Sequence, residues 1–424
     1  MRLLLCILYL VRVIRAAPTT NSITINDSFE AVSSLEQRTL WSIVSTCTLT
    51  ILACTYGAIH PNIPSPNDSS FRILWRRFVI MLVALAAPDV IIAWALRQRL
   101  WTQHITTEWT QTHSFFALMG GFMLYVDGKP FQTLSPDHLL NLIRTRSICG
   151  PTLTEKQIRD RSKGNVVSKG LILIQVSWFV LQLLSRAIYH LETTQFEVGT
   201  LAFAVLNFVT YALWWNKPLD VKCPHPVYWK STESKPEVHV YVCASINSTA
   251  ADHVPLSVPK NNGPMPLHTT IISAMDTFVK FFGIDAMSSS TLRVATFDGV
   301  CPFELTPRQS KALTLAGYAT GIIFSAIHCA AWFYVFPTYE EQLLWQTSAA
   351  AITIGLCIAL AVLLVLYKWI AARIDSVMFK LIFPVNVLYV IARITLFILM
   401  FTTLRDLPPD AYKTVSWSNF VPHL

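Results

Sequence analysis

The chain has 424 residues, 53% of them hydrophobic and only 14% charged, with 33 Lys and Arg against 25 Asp and Glu and a formal net charge of +8. Soluble domains carry roughly 25% charged residues. The deficit, with a mean hydropathy of +0.46, excludes a soluble globular protein and points to helices solvated by lipid. With 12% aromatic residues and only 14 glycines, collagen-like and disordered classes are excluded too. The basic residues are too scattered for a nucleic-acid footprint, so no nucleic-acid partner is expected.

In chain order, Met1 to Ala16 begins with Arg2, runs through an apolar stretch from Leu3 to Val11 and ends on Ile14-Arg15-Ala16. That is the layout of a secretory signal peptide, far shorter than the ~20 residues a spanning helix needs. Residues 17–40 then form a short lumenal segment, in which Asn26 of Asn26-Asp27-Ser28 is a glycosylation acceptor. Seven stretches are long and apolar enough to cross a bilayer: 41–60, 78–96, 170–190, 196–215, 312–336, 343–367 and 381–404. An eighth, 109–126, carries no formal charge but contains His113 and Gly120-Gly121.

Charge asymmetry favours eight spans over seven. With eight, Arg72, Arg76, Arg77, the basic group from Lys129 to Lys169, the 216–311 loop, Lys368, Arg373 and Lys380 share the cytosolic side. Arg38, Arg97, Arg99, Arg405 and Lys413 face outward. The expected architecture is therefore an all-α polytopic transmembrane bundle in two halves, 41–215 and 312–404, with a 405–424 tail. Both termini lie outside, at a membrane of the secretory pathway such as the plasma membrane or endoplasmic reticulum, and membrane lipid is the expected partner.

Eight prolines between Asn216 and His268 mark an irregular loop, either a linker or a docking surface for a cytosolic protein. Ile271, Met275, Phe278, Val279 and Phe282 then recur at helical spacing, as on an interfacial helix or one packed under the bundle. Ser135-Pro136-Asp137 and Thr154-Glu155-Lys156-Gln157 read as helix starts. Of nine cysteines, Cys6 falls in the signal, four in spans and four in cytosolic loops, so no disulfide framework is expected. No C-x-x-C pair, H-E-x-x-H, G-x-S-x-G or G-x-x-x-x-G-K-[ST] occurs, and histidine spacings do not suit haem, so neither metal nor cofactor is expected.

What remains is polarity inside the spans, which is costly and usually faces a bundle interior. Arg393 lies thirteenth in the last span, where an unpaired arginine costs about 2.5 to 3.5 kcal/mol. Asp89 is the acidic residue at comparable depth, so an Asp89/Arg393 ion pair is expected. Gln175, Gln182, Arg186 and His190, at intervals of seven, four and four, share one helix face. Asn386 lies seven before Arg393, and Asn207 and His328 add interior polarity. These nine residues suit either a cavity for a small ligand or ion, or interhelical hydrogen bonds worth about 0.6 kcal/mol each.

Five strings occur in order: THSFFALMGGFMLY, DRSKGNVVSKG, TLAFAVLNFVTYALWWNKPLDV, AIHCAAWFYVFPTYEEQLLW and LRDLPPDAYKTVSWSNFVPHL. From about Trp41 to the C-terminus the chain resembles an uncharacterised family of multi-pass membrane proteins of filamentous and mushroom-forming fungi. The resemblance implies a fungal origin and no activity. The reading is a non-enzymatic membrane protein for transport, sensing or partner organisation. Its rivals are a membrane enzyme using His328, His190 or His113 as acid or base on a lipid or secondary metabolite, and a purely structural scaffold.

Overall fold

The computed structural model describes residues 38–105, 109–162, 166–230, 292–294, 305–369 and 375–414. The expected signal, Asn26, the 271–282 helix and most of the 216–311 loop lie outside these residues. Eleven helices and three strands are described. They are α1 (Leu40–Leu52, continued by a π-helical turn, Ala53–Gly57), α2 (Ser70–Ala86), α3 (Pro88–Ile105), α4 (Gln111–Leu118), β1 (Phe122–Val126) and β2 (Lys129–Thr133). There follow α5 (Pro136–Arg144), α6 (Glu155–Arg161), α7 (Val166–Ile188), α8 (Gln195–Leu213) and β3 (His225–Tyr228). The last three helices are α9 (Pro307–Cys329), α10 (Tyr339–Trp369) and α11 (Asp375–Thr402).

Among the described residues, six helices are long and apolar enough to cross a membrane, the α1 helix, α7, α8, α9, α10 and α11, and the bent pair α2–α3 passes the same test when taken together. The axis of the bundle is α8. It packs on α1, α3, α7, α9 and α11, and 67% of its apolar window is buried against 28% for α1 and α7. Thr194 starts it with a reciprocal capping box to Glu197. Along the bundle, Thr50, Thr200, Thr210, Thr320 and Ser325 return their hydroxyls to carbonyls four residues back on their own helices, so these polar atoms make no demand on neighbours.

One expected span is corrected and a second is bent. The 109–126 stretch is not a helix that crosses: α4 stops after eight residues and the chain turns into a strand. Gly120 sits at φ +87°, and a Cβ on Gly121 would collide with the Phe116 ring and carbonyl. The Gly121 N–H caps Phe116 O at 2.8 Å, ending the helix in the manner glycine permits. Asp127 and Gly128, both at positive φ, then make the two-residue turn of the β1–β2 hairpin. Parallel pairing of β1 with β3 completes a sheet of order β2-β1-β3. Ser135 caps α5, and Thr154 heads a capping box on α6. That helix ends at Arg161 and does not feed into α7.

The 78–96 stretch breaks at Ala87-Pro88. The proline has no N–H to give and its ring excludes the preceding turn, so α2 and α3 meet at 112°. Both arms open toward the same end of the bundle. Midway along α2, Arg77 pairs with Asp220 at 3.0 Å and Arg76 donates to Asn62 O. Past the middle of α3, Gln98 accepts from Trp214 and Lys217. The elbow instead reaches α9 and α11. The expected straight crossing is thus a pair of helices bent at Ala87-Pro88.

The bundle has two distinct ends. At the sheet end, Met119 O accepts from Ile63 N and Asn216 donates to Gln111. At the other, Arg38 donates to Glu197 Oε1 and Oε2 (2.5 and 3.1 Å) and Ala411 O, while its N–H bonds Tyr412 O. There too Thr193 bonds Tyr334, Gln195 donates to Val335 O, and Arg405 forks onto Glu341 at 2.8 and 2.9 Å. We call this the tail end.

Candidate functional site

Helix α3 begins inside the bundle, with Pro88 first and Asp89 in its opening turn. Tyr389, from α11, donates its hydroxyl to Asp89 Oδ1 at 2.5 Å. One helical turn further along α11, Arg393 is 5% exposed. Its guanidinium lies over the Phe324 ring, 3.5 Å from the centroid, and 5.5 Å from that of Tyr389. Its Nη1 and Nη2 have no hydrogen-bond partner. Gly321, one turn before Phe324, faces the same spot: a Cβ there would stand 3.9 Å from Asp89 Oδ2 and 2.9 Å from Leu356 Cδ1. The structure therefore gathers Asp89 and Arg393 into one cluster, with Tyr389 on the carboxylate in place of the expected direct ion pair.

Phe324 also stacks on Phe203 of α8 (5.2 Å) and on His328 (4.7 Å), and His328 lies 5.8 Å from Trp345. Nδ1 of His328 meets Phe324 O at 2.9 Å, and Trp345 Nε1 donates to the His328 carbonyl. One turn from Phe203, Asn207 is buried with both amide atoms unpartnered.

The remaining expected residues lie elsewhere. Arg186, 3% exposed, donates to the carbonyls of Lys413 (2.6 Å), Asp410 (3.1 Å), Ala411 (3.3 Å) and Glu192. It clamps the C-terminal tail. His190 lies past the end of α7, exposed and at φ 53°, so it does not share the helical face of the other three. Gln175 and Gln182 are half-buried on α7, and Asn386 falls within α11. His113 is on α4, its ring nitrogens meeting Thr110 Oγ1 (2.7 Å) and Leu153 O (2.8 Å).

A second constellation escapes the sequence reading. Lys217, one residue before Pro218 and only 1% exposed, donates to His60 O at 2.5 Å and Gln98 Oε1 at 2.9 Å. Its Nζ lies 5.0 and 4.7 Å from the Trp94 and Trp214 ring centroids. Lys169 closes the bottom by donating to the carbonyls of Trp215 and Lys217. Desolvation, then the nearby Lys169 charge, hold the Lys217 ammonium well below its ordinary pKa. The signal available in sequence was the Trp-Trp-Asn-Lys-Pro run, which marks an interface and a helix stop but not which way the lysine turns. Among the described residues, six cysteines are free and no group of three His, Cys, Asp or Glu gathers as for a metal.

No curated protein and no solved structure matches the chain. One family model does: residues 99–255, from the end of α3 through the sheet, α7, α8 and Lys217, match a family of unknown function (DUF8562).

Proposed function

We propose that the chain is an integral membrane protein, non-enzymatic, whose bundle admits a small solute to a polar centre for transport or sensing. The elbow carries this reading. Within a bilayer, interrupted helices are tolerated only where protein or a water-lined cavity receives the freed backbone groups. Half-helix ends near the midplane are a recurrent way to present a solute site. Here two half-helices stop beside a buried arginine with two unused donors.

Membrane embedding is supported by the outward faces, where Leu171, Ile174, Trp178, Leu181 and Ile188 of α7 and Leu388, Ile391, Ile394 and Ile398 of α11 are exposed. With the bent pair read as a returning hairpin and 109–126 not crossing, two of eight crossings are lost, which leaves every other segment on its expected side. That hairpin also draws Arg97 and Arg99 to the sheet end, so among the described loops and tails the tail end keeps Arg38, Arg405 and Lys413. By the positive-inside rule the sheet end is cytosolic and the tail end lumenal or extracellular. Against an enzyme stand the three histidines: His328 is stacked in the core, His113 is bonded at both nitrogens, and His190 is an exposed turn residue.

The test is access. With the native cysteines replaced, Ala87→Cys at the elbow should react with a charged, membrane-impermeant methanethiosulfonate in sealed vesicles, while the protein resists alkaline extraction. An unreactive thiol in folded protein overturns the polar-centre reading.

A further inference from the structure

We infer that the solute is a small carboxylate and that Arg393 holds it. The inference rests on the reading above and specifies its ligand. Three observations converge on it. Phe324 and Tyr389 fix the guanidinium against aromatic faces, at 3.5 and 5.5 Å. Both terminal nitrogens, the pair that forms one edge of the planar fork, are buried and unpartnered. And the carboxylate that could neutralise them is engaged elsewhere: Asp89 Oδ1 accepts from the Tyr389 hydroxyl, and Asp89 lies in the first turn of α3, an 18-residue helix whose positive end favours an anion. Asp89 thus has its own hydrogen-bond donor and acts on Arg393 only through its charge, which leaves the two terminal nitrogens without an acceptor.

A buried guanidinium without a partner is strongly disfavoured. The chemistry that relieves it best is a second planar group with two coplanar acceptors, giving two parallel charge-assisted hydrogen bonds. A carboxylate has that shape. The aromatic walls, Phe324 and beyond it Phe203 and His328, suit a ligand whose remainder is apolar or flat. Gly321 lets α9 come close to Asp89, with Leu356 packed against it. Tyr389 is the positioning residue: by holding Asp89 it keeps the arginine edge open.

The experiment uses the full chain in vesicles, carrying Ala87→Cys in the cysteine-replaced background, with sodium acetate or sodium benzoate as probe and sodium chloride at matched ionic strength as control. At ten times the dissociation constant, the carboxylates should slow labelling of the introduced thiol about tenfold. Arg393→Gln should abolish the protection. Arg393→Lys, which keeps charge and loses the fork, should weaken it, and Tyr389→Phe should weaken it by freeing Asp89 to occupy the arginine. Normal labelling with no protection by either carboxylate, or protection unchanged in Arg393→Gln, overturns the inference while the polar-centre reading stands. Absence of labelling in folded protein sinks both.

Discussion

At the scale of the residue, two cations sit in opposite situations. Arg393 has charge and no acceptor; Lys217 has two acceptors and two indole rings but almost no water. Lys217→Ala removes a packed stem as well as a donor and should cost about 2 to 4 kcal/mol, read from thermal unfolding in detergent. Lys217→Met keeps most of the stem and should cost less than half of that. Because folding holds the ammonium below its ordinary pKa, the unfolded chain binds one more proton between that depressed value and about 10.4. Stability should therefore rise with pH through this window in the natural protein. A parallel rise in Lys217→Met would show that another group is responsible. The depth argument from sequence placed Asp89 and Arg393 in one neighbourhood, because both are charges that lipid rejects. It could not place Tyr389, since a tyrosine in an apolar run carries no such cost and leaves no pattern. Nor could it turn Lys217 inward, because the cage that receives it comes from α1's exit loop, α3 and α8, far apart in the chain.

At the scale of the element, glycines and one proline decide what hydropathy could not. Counting apolar residues makes 109–126 a weak span and 78–96 a sound one. Gly120-Gly121 followed by Asp127-Gly128 makes the first a helix and a hairpin, and Pro88 makes the second an elbow. Both signals are present in the sequence. They lose to composition because a window average dilutes a single backbone constraint. The glycines predict different penalties. Gly128 has open space around it at φ +75°, so Gly128→Ala should cost about 1 kcal/mol from backbone strain alone. Gly199 of α8 lies against the Met400 thioether of α11. There Gly199→Ala displaces only the end of a flexible side chain, while Gly199→Val overpacks the contact and should cost about 1 to 3 kcal/mol. Recovery of Gly199→Val by Met400→Ala, measured as a double-mutant cycle, checks that this contact is the cause.

At the scale of the whole molecule, sidedness depends on parity. Eight crossings and six crossings with a returning hairpin deliver the same termini to the same side, so the charge bias survives an error in the span count. Glycosylation mapping tests it. Asn26 should be modified, whereas Asn67 on the sheet-end loop and Asn247 in the 216–311 segment should not. Sugar on Asn67 in the natural sequence would falsify the assignment of the sheet end to the cytosol.

The clamp at the tail end carries a consequence for biogenesis. Arg186, near the end of α7, finds acceptors on Asp410, Ala411 and Lys413, and Arg38, ahead of α1, finds them on Ala411 and Tyr412. A ribosome delivers the first helix and α7 long before these carbonyls exist. Until residues 410–413 are made, the two guanidinium groups lack these acceptors, Arg38 having only Glu197 and Arg186 only the Glu192 carbonyl. Truncation after Leu407 should leave a chain that inserts with every crossing intact yet is cleared faster than the full-length protein. Pulse-chase of the two would show whether the cell reads these closing contacts to the two arginines or merely the count of helices.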